Sequence, residues 1–280
     1  MKFLLPLFLC SSLFAQNITN LYVGQQLSVG MQLTTVPSAG SSYTNVVNGI
    51  VGWWKFDEGT GLVALDSSGN LNVGTINGGS SYVTGKVGPY ALSFDGSSGY
   101  VDVPNNSSYK LNGLSSMSVS YWLKLSNSNP SNTVWGLIGD SIDGDPTTYG
   151  GWQMYFDNRT SETCGGSNTK RIQIDIGTAG AANYASSYVD GSITNTNWHH
   201  IVATYDGTQS GKIYIDGVNN VTSPGSCKNI IGAIRDSTNN FVIGSLEGGI
   251  LPVNGSLDDV RIYNRALSAG EVLDLYNFTK

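Results

Sequence analysis

Between Gly255 and Leu275 the hydrophobic period of this chain switches from that of a strand to that of a helix. Val260, Ile262 and, less strictly, Asp258 and Asn264 alternate with Asp259, Arg261 and Tyr263, as a half-buried strand does. Leu267, Val272 and Leu275 then fall into helical spacing. The junction carries a start signal. Ser268 and Glu271 have the spacing of a capping box, and Leu267 and Val272 that of a hydrophobic staple. A strand ends here, the chain turns, and a short helix closes the domain.

Upstream, the same two-residue period recurs in short pieces. Strands are expected at Ile50–Phe56, Ala91–Phe94, Tyr100–Val103, Met117–Leu125, Val134–Ile138, Trp152–Phe156, Ile172–Ile176 and Phe241–Ile243. Tyr100–Val103 is expected to pair with Ala91–Phe94 across Ser97-Ser98-Gly99. Trp198–Tyr205 and Lys212–Ile215 read as a hairpin around Asp206-Gly207, with a second turn at Asp216-Gly217. With 36 Gly and only 12% charged residues, long solvated helices are disfavoured and strands with tight turns favoured. The fold class is all-β, an antiparallel two-sheet sandwich with a short C-terminal helix. A net charge of −6 without any basic run disfavours nucleic acid and anionic membrane as partners.

The N-terminus reads as a secretion signal over residues 1–15. Lys2 is the basic start, Phe3–Leu9 the apolar run, and Ala15 the small residue at the cut. A cut before Cys10 is disfavoured by the bulk of Leu9. Beyond the signal, no segment is long and apolar enough to cross a membrane. Residues 16–47, polar and weakly alternating, read as a linker or extra edge segment, and residues 48–280 as the domain. With the signal removed, Cys164 and Cys227 remain, and an oxidising compartment makes a disulfide between them the expectation. It would close a loop of about 63 residues and contribute on the order of 4 kcal/mol.

A series of motifs then runs in order: Gly52-Trp53-Trp54-Lys55-Phe56-Asp57-Glu58-Gly59, Asp66-Ser67-Ser68-Gly69-Asn70, Gly85-Lys86-Val87-Gly88 and Ala91-Leu92-Ser93-Phe94-Asp95-Gly96. Ser118–Lys124, Asn197–Gly207, Lys212–Gly217 and the closing strand–helix stretch complete it. Together they resemble the bacterial laminin-G-like, concanavalin A-like jelly-roll family over about residues 49–277. The resemblance implies a concanavalin A-like jelly roll, and it implies far less about function, because the fold hosts many activities. Relatives often carry one Ca²⁺ at the rim. The oxygen donors such an ion takes point to Asp66, Asn70, Asp95 and Asp258, with Asp140, Asp143 and Asp145 a weaker cluster.

The residues bear on three function classes. A glycosidase needs two carboxylates facing each other across a sugar, and no Glu is paired with an acid at strand spacing, so no catalytic residue is assigned. His199 and His200 are neighbours on a strand and point to opposite faces, so they do not chelate one ion. Sugar binding needs aromatic platforms with polar rims, and the region Tyr149–Tyr188 is rich in both. Tyr149, Trp152, Tyr155, Arg171, Gln173, Asp175, Tyr184 and Tyr188 are the candidate ligand residues. If Ile172, Ile174 and Ile176 face the core, Arg171, Gln173 and Asp175 line the opposite face and floor an open groove. Trp53, Trp54, Trp122 and Trp198 are expected in packing. The reading is a secreted, non-catalytic module for glycan recognition or adhesion. The alternatives are a surface protein that binds other proteins and, third, a hydrolase or lyase.

Overall fold

The computed structural model describes residues 46–105, 109, 111–128, 130–131, 133–140, 150–159, 170–178, 184–208, 211–220, 223–224, 231–235 and 237–280. In chain order the strands are β1 (Ile50–Trp54), β2 (Val63–Ala64), β3 (Gly74–Asn77), β4 (Ser80–Thr84), β5 (Tyr90–Asp95) and β6 (Tyr100–Val103). They continue with β7 (Met117–Leu125), β8 (Val134–Gly139), β9 (Trp152–Asp157), β10 (Arg171–Gly177), β11 (Tyr184–Val189) and β12 (His199–Tyr205). Last come β13 (Lys212–Ile215), β14 (Val218–Asn220), β15 (Ser223–Pro224), β16 (Phe241–Ile243), β17 (Asn254–Tyr263) and helix α1 (Ala269–Thr279).

The strands form two antiparallel sheets of a jelly-roll sandwich. Sheet I runs β14-β13-β12-β7-β17-β5-β4, with β1 also on β17. Sheet II runs β15-β11-β10-β9-β8-β16-β6-β3-β2. The alternation that marks β7 in the sequence puts Met117, Val119, Tyr121, Leu123 and Leu125 into the core. They meet Met154 and Phe156 of β9 and Ile172, Ile174 and Ile176 of β10 from the other sheet. Trp54, with no exposed surface, stacks on Phe241 at 5.2 Å between ring centroids and donates its indole N–H to the Asn72 carbonyl. One aromatic side chain thus ties β1 of sheet I to β16 of sheet II.

The β12–β13 hairpin forms as expected. It is followed by the tight Asp216-Gly217 turn, where both residues have positive φ (54° and 77°) as a two-residue hairpin loop requires. The expected β5–β6 pairing does not form. β5 pairs with β4 and β17 in sheet I, whereas β6 pairs with β3 and β16 in sheet II. The segment between them is a crossover, gathered by the Asp95 carboxylate, which accepts from the amides of Ser97, Ser98 and Gly99. Val46 is fully buried against Val202, Tyr263, Val272 and Leu275, and its carbonyl accepts from the Tyr263 hydroxyl.

Helix α1 lies on the outer face of sheet I, where Val272 and Leu275 pack on Val202, Tyr214 and Tyr263. Its capping box is complete: Ser268 accepts from the Glu271 amide and Glu271 accepts from the Ser268 amide. Ser268→Ala is expected to cost ~1 kcal/mol in a urea titration, the usual worth of such a cap. An unchanged midpoint would show that packing alone holds the helix start.

A bulge interrupts β17. Asp258 opposes Trp122 and Arg261 opposes Ser120, with the register shift between them, and Asp259 takes φ 51°. Leu257 and Val260 therefore both point inward although they are three residues apart. Asp258, expected on the face of Val260, instead points outward with Arg261. On that face Arg261, 1% exposed, pairs with Asp259 at 2.8 Å and stacks 4.5 Å from the Trp53 ring centroid. Trp53 donates its indole N–H to Asp259.

Candidate functional site

The antiparallel register of β9, β10 and β11 decides which polar side chains share a face. Gln173 stands between Tyr155 and Tyr188, and Asp175 between Gln153 and Ser186. Arg171 lies opposite Asp157. Ile172, Ile174 and Ile176 do face the core, so Arg171, Gln173 and Asp175 lie on the opposite face, as alternation demands. Trp152 does not join them. It opposes Ile176, is 3% exposed and belongs to the core, so its place among the candidate ligand residues is corrected. Tyr184 is half-buried at the start of β11. Tyr149 lies outside the described residues, as do Cys164, Cys227, Asp143, Asp145 and residues 1–15.

The row is more enclosed than the expected open groove. Gln153, Tyr155, Asp157, Arg171, Gln173, Asp175, Ser186 and Tyr188 are each at most 9% exposed. Its centre is the Asp175 carboxylate. It accepts from the Tyr155 hydroxyl at 3.0 Å and from the Gln173 amide at 2.9 Å. The Gln173 amide donates also to Ser186 Oγ at 3.1 Å. At one end Arg171 donates to Asp190 at 2.7 Å and its guanidinium lies 3.7 Å from the Tyr188 ring centroid, while Asp157 holds Arg159 at 2.8 Å. Burial pushes the Asp175 carboxyl up from its ordinary value, against the hydrogen bonds it accepts. Burial, with the Asp175 charge adding, pushes the Tyr155 hydroxyl up as well.

Two acceptors in this row are unspent. Gln153 Oε1 and Gln173 Oε1 are buried and have no hydrogen-bond partner among the described residues, a condition that costs ~1–3 kcal/mol per group. Ser186 was missed in the sequence, although the two-residue period of Tyr184 and Tyr188 passes through it. Asp175 stands four residues along β10 from the end where Asp157 sits, roughly 13 Å at strand rise, wider than the spacing of a glycosidase pair. Asp157 is itself taken up by a guanidinium.

The four side chains expected to hold Ca²⁺ do not converge. Asp66 caps its own turn, accepting from the amides of Trp53, Ser68 and Asn72. Asn70 donates to the Val51 carbonyl. Asp95 gathers the crossover, and the amides of Ser98, Ser97 and Gly99 hold its carboxyl down to about 2. Asp258 accepts from the amides of Lys86 and Val87. Asp66, Asp95 and Asp258 thus spend oxygens on the backbone amides of three separate segments, an arrangement that does not fit one shared cation. No group of three or more His, Cys, Asp or Glu arranged for a metal occurs among the described residues. Asp140 likewise accepts from the Trp152 amide.

His199 and His200 diverge as expected. His199 meets Asp216 at 2.8 Å. His200 is buried between Trp122 and Tyr276, with Nε2 3.0 Å from Ser120 Oγ. Burial, with Arg261 adding, pushes its pKa down to about 3. His200 thus packs beneath α1 against Trp122 and Tyr276.

Among the described residues no helix is long and apolar enough to cross a membrane. No match is found among curated proteins. Solved structures do match. The binding domain of Paraclostridial Mosquitocidal Protein 1 superposes with a TM-score of 0.62 at 18% identity, over 83% of this chain and 53% of that one. The binding domain of botulinum neurotoxin DC, solved in complex with SialylT, gives 0.61 at 16% identity, over 84% of this chain and 52% of that one. This chain thus spans about half the length of those binding domains. Domain 4 of AbnA, an extracellular arabinanase from Geobacillus stearothermophilus, in complex with arabinotriose, gives 0.54 at 22% identity, over 81% of this chain and 98% of that one. At these identities the likeness is one of fold. Residues 95–273, well over half of the chain, match the family model described as the concanavalin A-like lectin/glucanases superfamily, and the chain belongs to that family.

Proposed function

We propose that this protein is a secreted, non-catalytic module that recognises glycan on the polar face of β9, β10 and β11. The observation that carries the reading is the pair of buried, unpartnered amide oxygens of Gln153 and Gln173. Sugar hydroxyls are the donors such acceptors call for, and the adjacent Tyr155 ring offers apolar surface of the kind a pyranose needs. Two proteins of the same fold were solved with SialylT and with arabinotriose, which supports the ligand class. Asp157 and Asp190 are each held by an arginine, which favours binding over hydrolysis. The signal-like residues 1–15 support secretion.

Affinity electrophoresis in gels cast with a polysaccharide panel tests the reading. The wild-type protein is expected to be retarded by at least one polysaccharide, and Gln173→Leu to weaken that interaction about tenfold, the worth of one to two hydrogen bonds. Tyr155→Phe removes only the hydroxyl donated to Asp175 and keeps the ring, so it separates loss of the site from loss of the fold. Retardation unchanged in both variants would place recognition elsewhere. Release of reducing sugar from the panel would restore the hydrolase reading.

A further inference from the structure

Helix α1 covers only part of the outer face of sheet I. Beyond it a cleft of about 360 Å³ remains, lined by Val83, Thr84, Lys124, Ser126, Trp198 and Ser256. Register explains the lining. Leu123 opposes His199 and Lys124 opposes Ser256, so Trp198, one residue before β12, comes next to Lys124. Trp198, Lys124 and Ser256 thus form a row across β12, β7 and β17, at roughly 4.8 Å per strand.

The chemistry of this row is unlike that of the rest of the face. Lys86 lies over the Trp122 ring at 4.6 Å and Lys55 over the Trp53 ring at 4.2 Å, and the Trp53 and Trp122 indoles donate to Asp259 and Thr279. Lys124 is exposed and, among the described residues, meets neither a carboxylate nor an aromatic ring. The half-buried Trp198 donates its indole N–H to no described residue. Among the described residues none that lines the cleft is acidic, in a chain with 20 acids against 14 lysines and arginines. An ammonium and an indole N–H are both donors, which call for an anion. The indole ring calls for an apolar face, and Thr84, Ser126 and Ser256 for hydroxyls. A pyranose bearing a carboxylate unites the three, and the volume lies at the lower end of small-ligand sites.

We infer that this cleft is a second carbohydrate site, selective for a uronate-type sugar whose carboxylate meets Lys124 and whose ring lies on Trp198. The inference shares its ligand class with the reading above but not its residues, since the two sites lie on opposite sheets. The test is titration of the ¹⁵N-labelled full chain with trigalacturonate, with neutral galactotriose, and with inorganic sulfate, following the Trp198 indole signal. That signal is assigned by its loss in Trp198→Phe, and it reports on this cleft alone, so failure of the β9–β11 site would not move it. Trigalacturonate is expected to shift the signal at least tenfold more tightly than the neutral trimer, and the exposed Lys124→Gln to remove that advantage, a charge-assisted hydrogen bond being worth about a factor of ten or more. Equal responses to the acidic and neutral trimers, an equal response to sulfate alone, no response, or an unaltered response in Lys124→Gln would each overturn it.

Discussion

Arg261→Met is expected to lower the unfolding free energy by ~3–5 kcal/mol, the range for breaking one side of a buried ion pair. Arg261 and Asp259 are 1% and 3% exposed. Removing the guanidinium leaves Asp259 buried with the Trp53 indole as its remaining side-chain donor. Burial pushes the Asp259 carboxyl up even with Arg261 beside it, so the charge is costly where it stands. The double variant Asp259→Asn, Arg261→Met is expected to regain most of the loss. Asparagine tolerates the positive φ at this position and still accepts from Trp53 without a charge to strand. Urea titrations of the two single variants and the double give the coupling directly. A loss under about 1 kcal/mol for Arg261→Met would mean that water reaches the pair, as it does at exposed bridges.

The second large effect is a dependence on pH set by Asp258. This carboxylate has no exposed surface, and only Oδ2 accepts, from the amides of Lys86 and Val87. Oδ1 is buried without a partner. Burial, with the Asp259 charge adding, raises its pKa to about 7 despite those amides. Between about pH 4 and pH 7 the folded protein keeps a proton that the unfolded chain has lost, so stability falls with rising pH across that window. The contribution is fully present below about pH 4 and is lost as pH rises through 7. At 1.36 kcal/mol per unit it is on the order of 4 kcal/mol. Asp258→Asn should flatten this part of the profile and raise the melting temperature most at pH 8. Parallel wild-type and variant profiles from pH 4 to pH 8 would refute the assignment.

What the sequence disclosed was what local chemistry determines. The period of Met117–Leu125, the capping box at Ser268 and the Asp216-Gly217 turn each involve neighbours within a few residues, and each is present in the structure. Side-chain parity along β9 was also readable: Met154 and Phe156 share the parity of Trp152, which marks that tryptophan as core. Partner choice was not readable. Asp95–Gly99 has turn composition whether its flanking strands pair or part, and only the competing edges of β4, β17, β3 and β16 send them to different sheets. The bulge at Asp259 left a faint trace in the spacing of Leu257 and Val260. The polar row was legible as residues, but its enclosure was not, because burial depends on the whole chain. Trp198 belongs to a motif expected in packing, and only the limited reach of α1 leaves it beside an open cleft.

The pairing of β1 with β17 also has a mechanical consequence. Ile50 opposes Tyr263 and Trp54 opposes Val260, so the free ends of the two strands emerge side by side. Tension applied between Val46 and α1 would load these rungs one after another instead of all at once, since antiparallel hydrogen bonds run across the strands. The module would open as a zipper from the Ile50 end at low force, with Trp54 and the core behind it the last of that ladder to be bared.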